Sequence, residues 1–163
     1  MSPERYVPRL LGFMALLVVS GCASMSATQI AQIRIVEDTV QLHRSTDAAW
    51  FHVTAVIQND SERPLYRECP VSAERSIEDK WEPVWGSVCT LSLGEVIAPG
   101  DSVTVAIDVV GSAVAHTGPP LDPRMSTGRY RLVFSIHFGA GSNGITEEIP
   151  VANRASSAFI VRE

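Results

Sequence analysis

Alternation of apolar and polar residues in four separate segments constrains this chain more than any other feature. Within 51–57, Phe51, Val53, Ala55 and Ile57 alternate with His52, Thr54 and Val56. Within 103–109, Val103, Val105, Ile107 and Val109 alternate with Thr104, Ala106 and Asp108. From 130 to 138, Tyr130, Leu132, Phe134, Ile136 and Phe138 alternate with Arg131, Val133, Ser135 and His137. The segment 157–162 sets Phe159 and Val161 against Ala158, Ile160 and Arg162. A period of two sends successive side chains to opposite faces, so each segment predicts a strand with one face buried. Weaker strands are expected at 30–36, 39–44, 64–68, 83–85 and 88–92. No segment beyond residue 22 keeps a 3.6-residue period over three turns, which argues against a helical domain.

Turn residues separate these segments: Asn59-Asp60-Ser61, Ala98-Pro99-Gly100-Asp101 and Thr127-Gly128. Short strands divided by such turns predict an all-β chain and an antiparallel sandwich rather than a parallel α/β sheet. The expected fold is an immunoglobulin-like antiparallel β-sandwich of about seven strands.

Ahead of the strands lies an apolar run from Leu10 to Val18, preceded by Arg5 and Arg9 and followed by Val19-Ser20-Gly21-Cys22. Basic residues, a short apolar stretch and small residues, in that order, read as a secretory signal. The run is about half of the roughly 20 apolar residues a membrane span needs. Its last four residues resemble a bacterial lipobox, which implies that Cys22 becomes the first mature residue and is acylated on its thiol and amino group. On that reading residues 1–21 are a lipoprotein signal peptide, 22–29 a lipidated tether and 30–163 the sandwich domain. Ala23 follows the cysteine where an Asp would signal inner-membrane retention. The expected location is therefore the cell envelope, at the outer membrane facing the periplasm. Acyl chains contribute about 0.8 kcal/mol per buried CH₂, so two or more give stable anchoring. About seven residues of tether reach at most ~25 Å, which keeps the domain near the membrane surface.

The chain carries 13 Lys and Arg against 18 Asp and Glu, a net charge of −5. That balance argues against nucleic acid, whose binding rests on neutralised phosphates. It leaves the lipid on Cys22 as the membrane contact and an envelope protein as the expected partner. With Cys22 acylated, Cys69 and Cys89 remain as an even pair in an oxidising compartment. A disulfide between them is expected ahead of a metal pair or two free thiols, since no His or Cys stands beside either to complete a zinc signature. Such a bridge would stabilise by roughly 3 kcal/mol in the chain-entropy picture.

The runs VTAVIQNDSERPLYRECP, VIAPGDSVTVAIDV, TGRYRLVFSI and SSAFIV, with the Asn59 and Pro99-Gly100-Asp101 turns and the Gly128-x-Tyr130-Arg131 strand start, form a recurring bacterial pattern. It is similar to the immunoglobulin-like domains of small secreted lipoproteins and, more distantly, to the intracellular proteinase-inhibitor family first described from Bacillus. The likeness covers about residues 49–162. It implies a sandwich in which Tyr130 holds the place of a tyrosine corner, and it raises protease inhibition through a strand-end loop as one activity. The intracellular inhibitors lack the cysteine pair present here.

His52 and His137 share the parity opposite to the core residues and are expected on opposite outer faces, with His43 on a weak strand and His116 in a loop. Three or four converging ligands are needed for a metal, so none is expected, and no cofactor. No serine sits in a G-x-S-x-G elbow; Glu78-Asp79 and Glu147-Glu148 are adjacent in sequence, and on a strand neighbours point to opposite faces, so neither pair makes an acid/base dyad by itself. No catalytic residue is assigned, and a non-enzymatic protein is expected. The candidate interaction surface comprises Trp81 and Trp85, together with His116, Pro119 and Pro120 in the long connection 111–127. A second loop, 139–144, is Gly-rich. Ile77, Trp81, Trp85 and Leu91 are expected to be partly core, with the sharper alternative that one indole stands out as an interface anchor. The leading expectation is an envelope lipoprotein that docks another protein through a loop or an added edge strand. The alternatives are a protease inhibitor working through 111–127 and a carbohydrate-binding module using the two indoles.

Overall fold

The computed structural model describes residues 29–45, 48–87, 94–111, 127–139 and 146–163. Within them the chain forms β1 (Ala31–Ile35), β2 (Thr39–Gln41), β3 (His43–Arg44), β4 (Ala49–Asn59), β5 (Leu65–Ile77) and β6 (Lys80–Gly86). After these come β7 (Glu95–Ile97), β8 (Ser102–Gly111), β9 (Gly128–Phe138), β10 (Glu147–Glu148) and β11 (Phe159–Arg162). They make two sheets. In the smaller, β4 lies between β8 on one edge and β1 with β3 on the other. The larger runs β2-β11-β9-β5-β6, with β7 beside β5 and β10 beside β9.

All four strongly alternating segments are strands, because their apolar parity is the parity of the interior. In β4 Ala49, Phe51, Val53, Ala55, Ile57 and Asn59 are buried, and in β9 Tyr130, Leu132, Phe134, Ile136 and Phe138 are. Phe51, Tyr130 and Phe159 meet across the two sheets, with Phe51–Tyr130 ring centres 5.5 Å apart and edge-on. Burying a large apolar side chain contributes roughly 1.5–3 kcal/mol, so this shared interior supplies the main drive to fold.

The expected count of about seven strands is corrected to eleven segments among the described residues. One expected strand is split between the sheets, and β7 and β10 have no counterpart among the expected strands. The run 39–44 leaves one sheet and joins the other at buried Leu42, pairing first with β11 in parallel and then with β4. Expected strands 64–68 and 83–85 are parts of longer β5 and β6, which meet in a two-residue hairpin at Glu78 and Asp79, both with positive φ. The expected 88–92 strand lies outside the described residues, and the strand after it is β7.

The expected Cys69–Cys89 staple falls partly outside the described residues. No cysteine pair exists among the described residues, since Cys89 lies outside them; Cys69 itself is a bonded, non-titrating cysteine. The described join between β5 and the end of β6 is made by Ser87. Its Oγ accepts from Val71 N at 2.8 Å and lies 3.6 Å from Cys69 Sγ, while its N donates to Val71 O at 2.8 Å.

Candidate functional site

The two flanks of the sandwich are built differently. On one, the zigzag of β1, β2 and β3 between the sheets stitches them together. On the other, β8 is the edge of the smaller sheet and faces β5 and β6 across a cavity of about 400 Å³. Val71 on β5, Trp85 on β6 and Val105 and Ile107 on β8 form its apolar lining, with Arg67, Ser87 and Asp108 among its polar groups.

Strand geometry fixes which backbone groups β8 turns outward. In an antiparallel pair, alternate residues direct both N–H and C=O to the same neighbour. Asn59 exchanges main-chain bonds with the start of the β8 side, through Asp101 O at 3.0 Å and Gly100 N at 2.9 Å, so odd-numbered residues of β4 face β8. Their partners are Val103, Val105, Ile107, Val109 and Gly111. The intervening Thr104, Ala106, Asp108 and Val110 therefore present their backbone to the outer edge. The Trp85 indole confirms the direction, donating from Nε1 to Val110 O at 3.1 Å. Among the described residues no strand pairs with this edge. The side chains of Thr104, Ala106 and Asp108 are exposed on the solvent face, and Asp108 Oδ1 lies 2.8 Å from His52 Nδ1.

The expected site residues separate. Trp85 is buried, at 5% exposure, and belongs to the core, which corrects its place on an exposed interaction surface. Trp81, four residues earlier, is half-buried on the outer face of the larger sheet, where Arg131 and Arg129 stack over its ring at 4.7 and 5.6 Å. The two indoles thus do not share a platform. Cys22, Cys89, Leu91, His116, Pro119 and Pro120 lie outside the described residues, as do 112–126 and 140–145. The histidines are dispersed, as their parity predicts for His52 and His137 in different sheets. His137 departs from the expected exposure. Its side chain is 12% exposed, with Nε2 3.2 Å from Glu68 Oε1 and the ring stacked on Tyr66 at 5.8 Å. Among the described residues no group of three or more His, Cys, Asp or Glu could hold a metal ion.

Three features were missed in the sequence. Trp50 stands one residue out of parity with Phe51 and is 38% exposed, stacked with His43 at 5.7 Å; the parity alone could have placed it outward. Asn59 was read as a turn residue but is wholly buried, donating from Nδ2 to Arg63 O (2.8 Å) and Ile97 O (2.9 Å) and accepting from Ser61 N and Oγ. The arginines around Trp81 carried no local signal, since they come from another strand.

No family model and no curated protein matches this chain. Solved structures do. An X-ray structure described only as a target of the Northeast Structural Genomics Consortium aligns at 11% identity and a TM-score of 0.51, over 83% of this chain and 89% of that one. The CARDB domain of a Pyrococcus furiosus protein, crystallised in complex with di-metal ions, aligns at 10% identity and a TM-score of 0.38, over 80% of this chain and 84% of that domain. The likeness is one of fold, a two-sheet sandwich of the immunoglobulin-like kind.

Proposed function

We propose that this chain is a non-enzymatic, lipid-anchored envelope protein whose sandwich binds an extended segment of a partner protein along the outer edge of β8. The observation that carries the docking reading is that edge: backbone groups of Thr104, Ala106 and Asp108 turned away from β4, beside a cavity lined by Val71, Trp85, Val105 and Ile107. An incoming strand would satisfy those groups by main-chain hydrogen bonds and set alternate side chains toward the cavity, the usual division between affinity and specificity in strand addition. Asp108 favours a basic residue in the segment that passes it. The anchor rests on the order of basic residues, apolar run and Val19-Ser20-Gly21-Cys22 at the start of the sequence.

The test is in-cell cross-linking followed by identification of captured proteins, with two variants. Ala106→Pro removes an outward N–H without touching the ladder to β4, and proline is tolerated at such edge positions. Loss of one dominant captured protein in Ala106→Pro, with unchanged melting temperature, is the expected result. Undiminished capture would remove β8 from the reading. Cys22→Ser should release the chain from the membrane fraction; retention there would remove the lipid anchor and leave the β8 reading standing.

A further inference from the structure

We propose a second recognition surface, for an acidic peptide segment, on the outer face of the larger sheet around Trp81, Arg129 and Arg131. Its construction follows from register. Tyr130 lies opposite Arg75 and Arg131 opposite Glu74, while Ser76 pairs with Trp81 across the next gap. That places the Arg129 and Arg131 guanidiniums over one indole, which is stacked by both. Arg131 is locked in position, reaching Glu74 Oε2 from Nε at 2.7 Å and Nη2 at 2.6 Å. Ile160, opposite Arg129 on β11, extends the shelf with a 43% exposed aliphatic side chain.

Charge identifies the occupant. The chain has more carboxylates than cations, 18 against 13. Yet among the described residues Arg129 has no carboxylate within 4.0 Å, and neither has Arg162 on the same face. A guanidinium already oriented on an aromatic ring binds a carboxylate in a charge-assisted, directional pair with little further ordering. The same shelf of indole and arginine is the composition that dominates protein interfaces. The occupant is a protein segment rather than a membrane surface because of where the shelf stands. Gln29 enters beside Asn59 and Asp60, at the opposite end of β4. Eleven residues of strand put roughly 30 Å between that end and the shelf. On the anchored reading above, the shelf therefore points away from the lipid.

The probe is a synthetic Asp/Glu-rich decapeptide, titrated by tryptophan fluorescence and calorimetry against the full chain in neutral detergent. Saturable binding that weakens with salt and falls about tenfold or more in Arg129→Glu is expected. Arg34→Glu, which reverses another arginine without an ion pair on the other sheet, should leave the affinity unchanged. Equal loss in the two variants would show a non-specific charge effect and overturn the proposal. So would binding to phosphatidylglycerol vesicles that Arg129→Glu weakens while the peptide fails to bind. Both outcomes are independent of Cys22 and of the β8 edge.

Discussion

The two ends of this sandwich use the same residue types to opposite effect. Toward the end where Gln29 enters, Arg63, Arg67 and Arg154 each have a carboxylate, whereas Arg34 has none among the described residues. Arg63 meets Glu147 at 2.9 Å, Arg67 meets Glu95 at 2.8 Å and Arg154 lies 3.9 Å from Glu148. Buried Asn59 ties the turn at Ser61 and Arg63 to the end of β7 at Ile97, and all its side-chain bonds run to groups within the fold. At the other end, Arg44 pairs with Glu163 and Arg131 with Glu74, but Arg75, Lys80, Arg129 and Arg162 have no described carboxylate partner. At this end Trp81 lies under two arginines and Trp50 beside His43. A satisfied end is a place where the chain is stapled, whereas an end with unsatisfied charge on ordered rings keeps binding capacity. Among the described residues, the buried side-chain nitrogens without a hydrogen-bond partner, Arg75 Nε and Arg154 Nε, fall one toward each end, so orphaned donors do not by themselves make the distinction.

The contrast can be broken most forcefully at Asn59. Replacing it by Ala leaves Arg63 O, Ile97 O and Ser61 N–H without their partners in a buried setting, and urea denaturation should show a loss of about 2–4 kcal/mol. A loss below 1 kcal/mol would mean that the turns hold themselves and the end is not stapled by this side chain.

The next largest effect belongs to Gly128, at the other end. Its φ of +142° is unfavourable for a side chain, and an added Cβ would lie 2.8 Å from Arg75 Nε. Gly128→Ala should cost about 1–3 kcal/mol by the same denaturation measurement. Adding Arg75→Ala should recover only the part due to contact. Full recovery would show that backbone conformation contributes nothing.

A subtler difference concerns alkaline pH. Burial pushes the Tyr130 hydroxyl up from 10.0 to about 12, against the opposing pull of Arg75 and Arg44. The folded value lies above the unfolded one, so the fold favours the protonated phenol. That contribution is whole below pH 10 and is lost as pH climbs toward about 12. Stability measured across this window should fall in the parent chain and fall less in Tyr130→Phe. Parallel curves would place the alkaline transition elsewhere.

Much of this arrangement was legible before any coordinates. Tyr130 and Phe51 were placed in the core, and His52 and His137 on different sheets, because strand parity is a local property carried by neighbours in the chain. The Asn59 and Pro99-Gly100 turns were visible for the same reason. Less was visible where pairing decides the outcome. Trp81 and Trp85 have the same parity and similar neighbours, yet a register shift between Ala73 and Glu74 lies between their pairing positions and sends them to different faces. No local pattern encodes a bulge of that kind, since it arises from how β5 and β6 meet. The run 39–44 read as one strand because nothing in its composition says that its two halves serve different sheets.

The amino-acid sequence by itself determined which face of each strand is buried, where the chain turns and that the fold is all-β. These follow from period and turn chemistry within a few residues. Tertiary structure alone decided that β8 is an edge, that Trp85 is interior while Trp81 carries two arginines, and which arginines find a carboxylate. Each of these depends on strands brought together from distant parts of the chain. Arg131 and Glu74, 57 residues apart, are the plainest case. Parity says which way a side chain points, and only the assembled register says what it meets there.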